Sequence, residues 1–282
     1  MARRVILVIF SAFLITCLLA AVMIVIYWKP LVLDGAENGL RAVFKGSSVK
    51  IGSREVSPEM LVFRDIEITT KGRQILSVGE FRFDFTITSL VKGRTADFSV
   101  KEISVYEKLK IDEARGLARF NKGILALGNI SVSVLGGIVE GGALIKPGKD
   151  PSWSVALNLK DIRLEKAIET FELGEKMSMS GSVSGPLRFS GEGKALAGLK
   201  GKLTTSPEGG VLTINDQKWL DTIARYAKQD ISVIVESFKD YSYNEGIISF
   251  GLKGTSIVME AHLNGEQGKR DLLISLRDFN QM

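Results

Sequence analysis

The chain reads as a mainly β protein. A transmembrane helix at the N-terminus leads into an elongated, twisted antiparallel sheet curled into an apolar groove, with an amphipathic helix toward the C-terminus. Three observations carry that reading. Val5 to Trp28 form one apolar run without a charge. From Val49 to Pro207 apolar and polar residues alternate with a period of two. Near residue 216 the apolar spacing changes to three and four.

The apolar run is long enough for a bilayer core of about 30 Å, which takes about 20 helical residues. Arg3 and Arg4 precede it, and the positive-inside rule places them in the cytoplasm. The body then lies outside, in the periplasm of a cell with two membranes. A cleaved signal peptide would have an apolar region of about 7–15 residues ending in small residues. Here the run is longer, and Tyr27-Trp28-Lys29-Pro30 is an interfacial stop. Thr16 precedes Cys17 and eleven apolar residues follow it, which argues against a lipid anchor at that cysteine. The expected division is 1–4 cytoplasmic tail, 5–28 span, 29–48 juxtamembrane segment and 49–282 β body. Val32 to Lys45 is a helix candidate, with Leu40, Val43 and Phe44 on one face and Gly46 as its stop. A linker with some helix content fits it equally.

Cys17 is the only cysteine, so no intramolecular disulfide holds the body. Apolar burial and β hydrogen bonding must do so. The net charge is +5, with no basic run, which speaks against nucleic acid.

Within the body, Leu76, Val78, Phe81, Phe83, Phe85 and Ile87 exemplify the strand pattern. Lys71-Gly72-Arg73, Lys92-Gly93-Arg94, Gly136-Gly137, Gly141-Gly142 and Lys146-Pro147-Gly148-Lys149-Asp150 read as hairpin connections. Their regular spacing predicts a meander of roughly 18 strands, at most about 85 Å long at about 4.8 Å per strand. Asn215 or Asp216 caps a helix with Trp219, Leu220, Ile223, Tyr226 and Ala227 on one face. The spacing continues weakly through Ile231, Ile234 and Phe238, so helix is expected near 216–238. Strands near Gly246–Leu252 and Ser256–Leu263 and a final one close the chain.

A short pattern repeats: apolar, any, apolar, basic or Gly, Asp/Glu/Asn, apolar, any, apolar. Its copies are Leu61–Ile68, Phe98–Val105, Leu125–Val132 and Leu157–Leu164, starting 37, 27 and 32 residues apart. Weaker copies begin at Phe238 and Ile274. The central apolar positions are three apart, so strict alternation would turn the later side chains to the opposite face. One extra residue at the charged pair, a β-bulge, keeps them on the same wall. A bulge or bend is therefore expected at Arg64-Asp65, Lys101-Glu102 and Lys160-Asp161.

Catalytic patterns are missing. His262 is the only histidine, too few for a zinc cluster or a His-dependent triad. Gly193-Lys194 and Gly201-Lys202 lack the rest of a phosphate-binding loop. No metal or cofactor is implied, and the chain is not expected to be an enzyme.

The layout of basic terminus, signal anchor, brief helix and β repeats resembles the AsmA-like superfamily of envelope proteins. Gly136-Gly137-Ile138-Val139-Glu140-Gly141-Gly142, Val155 to Ile162, Ser180-Gly181-Ser182-Val183-Ser184-Gly185-Pro186-Leu187, Glu208-Gly209-Gly210-Val211-Leu212 and Phe238-Lys239-Asp240-Tyr241-Ser242-Tyr243 resemble the C-terminal domain of its YdbH-type members. The resemblance covers about 140 residues. It implies an inner-membrane anchor, a groove binding phospholipid acyl chains, and a part in lipid transfer between inner and outer membranes. The chain departs from the family in being far shorter than the bridging members. The expected groove walls are Phe63, Ile66, Phe81, Phe83, Phe85, Val105, Leu157, Leu159, Leu164 and Phe189. A closed structural or adaptor domain, its exposed strand edges pairing with envelope partners, would read the same, because a groove wall and a packed core share one apolar pattern.

Overall fold

The computed structural model describes residues 34, 38, 46–57, 59–86, 95–146, 151–193 and 195–276. The expected span and tail lie outside these residues. Of the juxtamembrane segment only Asp34 and Asn38 before Gly46 are described, both helical. Among the described residues no helix is long and apolar enough to cross a membrane.

The body is mainly β, as the alternation predicts. Its first eight strands are β1 (Ser48–Ser57), β2 (Met60–Thr70), β3 (Arg73–Asp84), β4 (Ala96–Val105), β5 (Leu109–Asn121), β6 (Ile124–Val134), β7 (Gly137–Lys146) and β8 (Ser152–Arg163). Helix α1 (Leu164–Thr170) and β9 (Met177–Met179) follow, then β10 (Ser182–Glu192), β11 (Ala195–Thr205) and β12 (Gly210–Ile214). Helices α2 (Gln217–Ala227) and α3 (Ile231–Ser237) lead to β13 (Tyr241–Tyr243), β14 (Glu245–Lys253), β15 (Ser256–Gly265) and β16 (Gly268–Leu276).

Thirteen strands form one antiparallel sheet in the order β1-β2-β3-β4-β5-β6-β7-β8-β10-β11-β14-β15-β16. That is the expected meander, but shorter than expected, and Gly141-Gly142, expected as a connection, lies inside β7, where Gly141 pairs with Ile130 and Leu157 on its two sides. Twelve strand spacings of about 4.8 Å give about 58 Å. The other three strands form a small separate sheet, β13-β12-β9. Met177 and Met179 thus belong to a different sheet from Val183, Leu187 and Phe189, although the sequence pattern runs through all five. The chain changes sheets at Ser180-Gly181, where Gly181 has φ +104°. A Cβ there would lie 2.6 Å from the Gly209 carbonyl oxygen, so both the backbone angle and the close approach require glycine.

The helix near 216–238 is two helices. Asp216 caps α2 by accepting hydrogen bonds from the Lys218 and Trp219 amides at 2.8 and 3.2 Å. Lys228 ends α2 in the left-handed conformation, and Asp230 caps α3 through the Ser232 amide at 2.8 Å. Leu220, Ala224, Ile234 and Phe238 are buried against Leu212, Tyr241 and Tyr243 of the small sheet and Leu263 of β15, with Trp219 and Ile223 packed alongside. Two tyrosines fasten this unit. The Tyr243 hydroxyl donates to the Ser180 carbonyl at 2.6 Å, and the Tyr241 hydroxyl to the Gly268 carbonyl at 2.6 Å. Burial, with Glu165 adding to it, pushes the Tyr243 phenol up to about 12.

The repeat has a common backbone signature. The residue after its basic or Gly position takes a positive φ in five copies: Asp65 (54°), Glu102 (53°), Asn129 (50°), Asp161 (53°) and Asp240 (52°). Asp and Asn tolerate this region because their short side chains bond locally. A register shift of the expected kind occurs in two of the copies. In β6, Gly128-Asn129 face the single Gly142 of β7. In β8, Lys160-Asp161 face the single Ser184 of β10, whose hydroxyl accepts from the Asp161 amide at 2.8 Å.

At Arg64-Asp65 and Lys101-Glu102 the expectation of an inserted residue is corrected. Pairs Ile51–Ile66 and Ser53–Arg64 on one side, and Ile66–Val78 and Arg64–Glu80 on the other, keep register past Asp65. Pairs Val78–Ile103 and Glu80–Lys101 keep it past Glu102. The neighbours make room instead. A Cβ on Gly52 would lie 2.8 Å from the Asp65 Cβ, and one on Gly79 would lie 2.9 Å from the Glu102 Cβ. The three-residue step recurs at the same level in β3 as Val78 and Phe81. Phe63, Ile66 and Val78 are still buried in one cluster, with Phe81 packed on it. They share a wall, as expected.

Candidate functional site

The apolar face is a set of rows running across the strands. One row is Phe63–Phe81–Val100–Ala114–Val132–Val139–Leu159–Gly185, each directly opposite the next. It crosses eight strands, about 34 Å at about 4.8 Å per spacing. A second is Ile130–Gly141–Leu157–Leu187–Gly201–Phe250–Met259. A third is Ala96–Ala118–Leu127–Ala143–Val155–Phe189–Leu199. No position in these rows is charged or polar.

The rows pass through regions of different burial. Over β1–β4, Phe63 (1 % exposed), Ile66, Phe85, Leu61 and Val78 are buried together, and Phe81 and Phe83 are half-buried against them. Phe63 stacks with Phe81 at 6.4 Å between centroids, and Phe83 lies 5.7 Å from Phe85. At the far end Ile162, Val183, Leu203, Ile248 and Ala261 form another buried cluster. Between the two, Leu125, Leu127, Ile130, Val132, Ala143, Val155, Leu157, Leu187, Phe189 and Leu199 are all half-buried.

The ten sequence-predicted wall residues divide along that line. Phe63, Ile66 and Phe85 are interior residues of the first cluster, with Phe81 and Phe83 at its margin. Val105 is half-buried between Leu76 and Leu109. Leu157 and Phe189 lie on the half-buried stretch, and Leu159 joins it to the far cluster. Leu164 opens α1 and packs between the two C-terminal clusters. Leu127, Val155, Leu187 and Leu199 complete the half-buried stretch. Their alternation is visible in the sequence, but Gly141, Gly185 and Gly201 interrupt it.

The opposite face is mostly polar, with Val62 buried and Ile138 and Leu144 exposed on it, and over β2–β5 its charges alternate. Arg64, Glu80, Lys101 and Glu113 are successive cross-strand neighbours. Arg64 contacts Glu80 at 3.1 Å and Lys101 contacts Glu80 at 3.4 Å. Arg115 lies 2.6 Å from Glu113 and, through that hydrogen bond, holds its carboxyl below the usual range. His262 pairs with Asp271 at 2.6 Å on exposed strand surface. Among the described residues no group of His, Cys, Asp and Glu side chains is placed to hold a metal ion.

No family model, no curated protein and no solved structure matches the chain.

Proposed function

We propose that the chain is a membrane-anchored envelope protein that carries phospholipid acyl chains on the half-buried stretch between β6 and β11. Its role is to aid lipid transfer between inner and outer membranes, with the body in the periplasm and no catalytic step. The observation that carries this reading is the unbroken apolar row structure, free of polar positions, whose middle is left half-buried. Shielding one acyl CH₂ from water gives about 0.8 kcal/mol. Two chains of about 16 carbons therefore gain on the order of 25 kcal/mol over water, and a site-to-site transfer avoids most of that barrier. The N-terminal apolar run and the resemblance to AsmA-like proteins support the membrane setting.

One specific observation favours the adaptor reading for part of the body. Phe63, Ile66 and Phe85 are buried by protein, which leaves Phe81, Phe83, Val100 and Val105 of this end half-buried. The lipid-carrying stretch is accordingly narrower than the sequence suggested. Mass spectrometry of the full chain purified in a mild detergent tests the reading. Phospholipid retained by the wild type and lost in Leu157→Asp is expected. A wild type that retains none, or a variant that retains as much, would contradict it.

A further inference from the structure

The polar face of β10 and β11 departs from the alternation seen over β2–β5. Arg188 and Lys200 stand directly opposite each other across the two strands, and Lys202 follows on the same face. All three are exposed. None forms an ion pair among the described residues, and none is among the residues with a further interaction. Like charges directly opposite in a sheet are destabilising. An arrangement that costs stability in the free protein points to a ligand that neutralises it.

The surroundings leave room for one. The row containing the pair reads Gly142–Ala156–Arg188–Lys200–Gly251, so small residues flank the cations on both sides. A Cβ on Gly251 would meet nothing within 4 Å. Of the three cations Arg188 alone borders a hollow of about 500 Å³, with Ser154, Ser190 and Leu144 and with atoms of Leu127, Val155 and Phe189. The nearest acids on this face are distant. Glu260 lies two strand spacings from Lys202, through Ser249, about 10 Å. Glu140 lies two strand spacings from Pro186, through Asn158, and is held by Lys160 at 2.6 Å, while Glu192 lies four residues along β10.

We propose that Arg188, Lys200 and Lys202 bind a phosphate group on the face of the sheet opposite the apolar wall. A planar guanidinium beside two ammonium groups suits tetrahedral oxyanions through charge-assisted hydrogen bonds. The phosphate comes from an anionic lipid headgroup or from a soluble phosphate, and the test separates the two. The inference does not depend on the apolar wall carrying lipid.

The experiment compares melting of the full chain in nonionic detergent with that of Arg188→Gln/Lys200→Gln. The probes are inorganic phosphate, dihexanoylphosphatidylglycerol and dihexanoylphosphatidylcholine, at ionic strength matched with chloride. Without ligand the variant is expected to melt about 1–3 °C higher, because the repulsion is gone. The wild type is expected to gain stability with the phosphatidylglycerol, at a half-saturating concentration at least about tenfold lower than in the variant. A response to phosphatidylglycerol alone assigns the headgroup, and a response to inorganic phosphate as well assigns phosphate in general. No response in the wild type, or equal responses in both proteins, overturns the proposal. Equal responses to both lipids would place them elsewhere, on the apolar wall for instance, and leave the reading of that wall standing.

Discussion

Strands β2–β5 and strands β6–β8, β10 and β11 share one sheet and one apolar face, yet they differ in how that face is covered. In the first region Phe63 and Ile66 are sealed against their neighbours, and the polar face is a checkerboard of Arg64, Glu80, Lys101 and Glu113. In the second the same rows continue through Leu127, Val155 and Leu157 half-buried, and the polar face sets Arg188 against Lys200. Apolar burial and charge pairing are both satisfied in the first region, and both are left incomplete in the second. Natural sequences usually break such rules at functional sites. The proposed lipid-carrying stretch accordingly lies in the middle of the sheet, and the sealed apolar cluster at its N-terminal end.

The largest expected effect is on the sealed region. Phe63→Ala should cost about 3–5 kcal/mol, as for other large aromatic deletions in a packed core. Leu157→Ala on the same face should cost about 1 kcal/mol, because its side chain is already partly in water. Equilibrium urea denaturation checks both, and equal losses would erase the distinction.

The crease at Asp65 and Glu102 comes next. Gly79→Val should cost about 1–3 kcal/mol, since its Cβ would collide with that of Glu102. A β-branched residue at the φ of +53° seen at Glu102, as in Glu102→Val, should cost about 1–2 kcal/mol. If both are tolerated without loss, the crease does not hold the two halves of each strand on one wall.

Tyr243 gives a smaller, pH-dependent effect. Its folded-state value is raised from about 10 to about 12. Its contribution is complete below pH 10 and is lost as the pH rises through 12, because the unfolded phenol ionises first. Tyr243→Phe should lose about 0.5–1.5 kcal/mol at neutral pH with the bond to Ser180 and flatten the pH dependence of stability between 10 and 12. The smallest effect is expected at the exposed checkerboard, where Arg64→Ala should cost under about 1 kcal/mol.

Much of this architecture was legible in the chain itself. Alternation of Phe81, Phe83 and Phe85 fixes strand and face, and Asp216 marks a helix start, because both signals are local. The missed elements depend on distant partners. The pattern at Met177 and Met179 says strand without saying which sheet, and the change of sheet at Gly181 is decided by Gly209 and Tyr243. Leu164 ends the fourth repeat as an apolar strand position would, yet the chain turns into α1 at that residue. The repeat correctly marked Asp65 and Glu102 as special. Whether a residue is inserted there depends on Gly52 and Gly79 in neighbouring strands, and mid-strand glycines were the signal to look for. Burial of Phe63 against half-burial of Leu157 could not be read at all, since both are apolar residues on alternating strands.

Photo-crosslinking in cells tests the central claim most directly, with a probe amino acid placed at Leu127, Val155 or Phe63 in the full chain. Lipid adducts are expected at Leu127 and Val155, and only protein-internal adducts at Phe63. Lipid adducts at Phe63 as abundant as at Val155, or none at any position in a folded body, would contradict it.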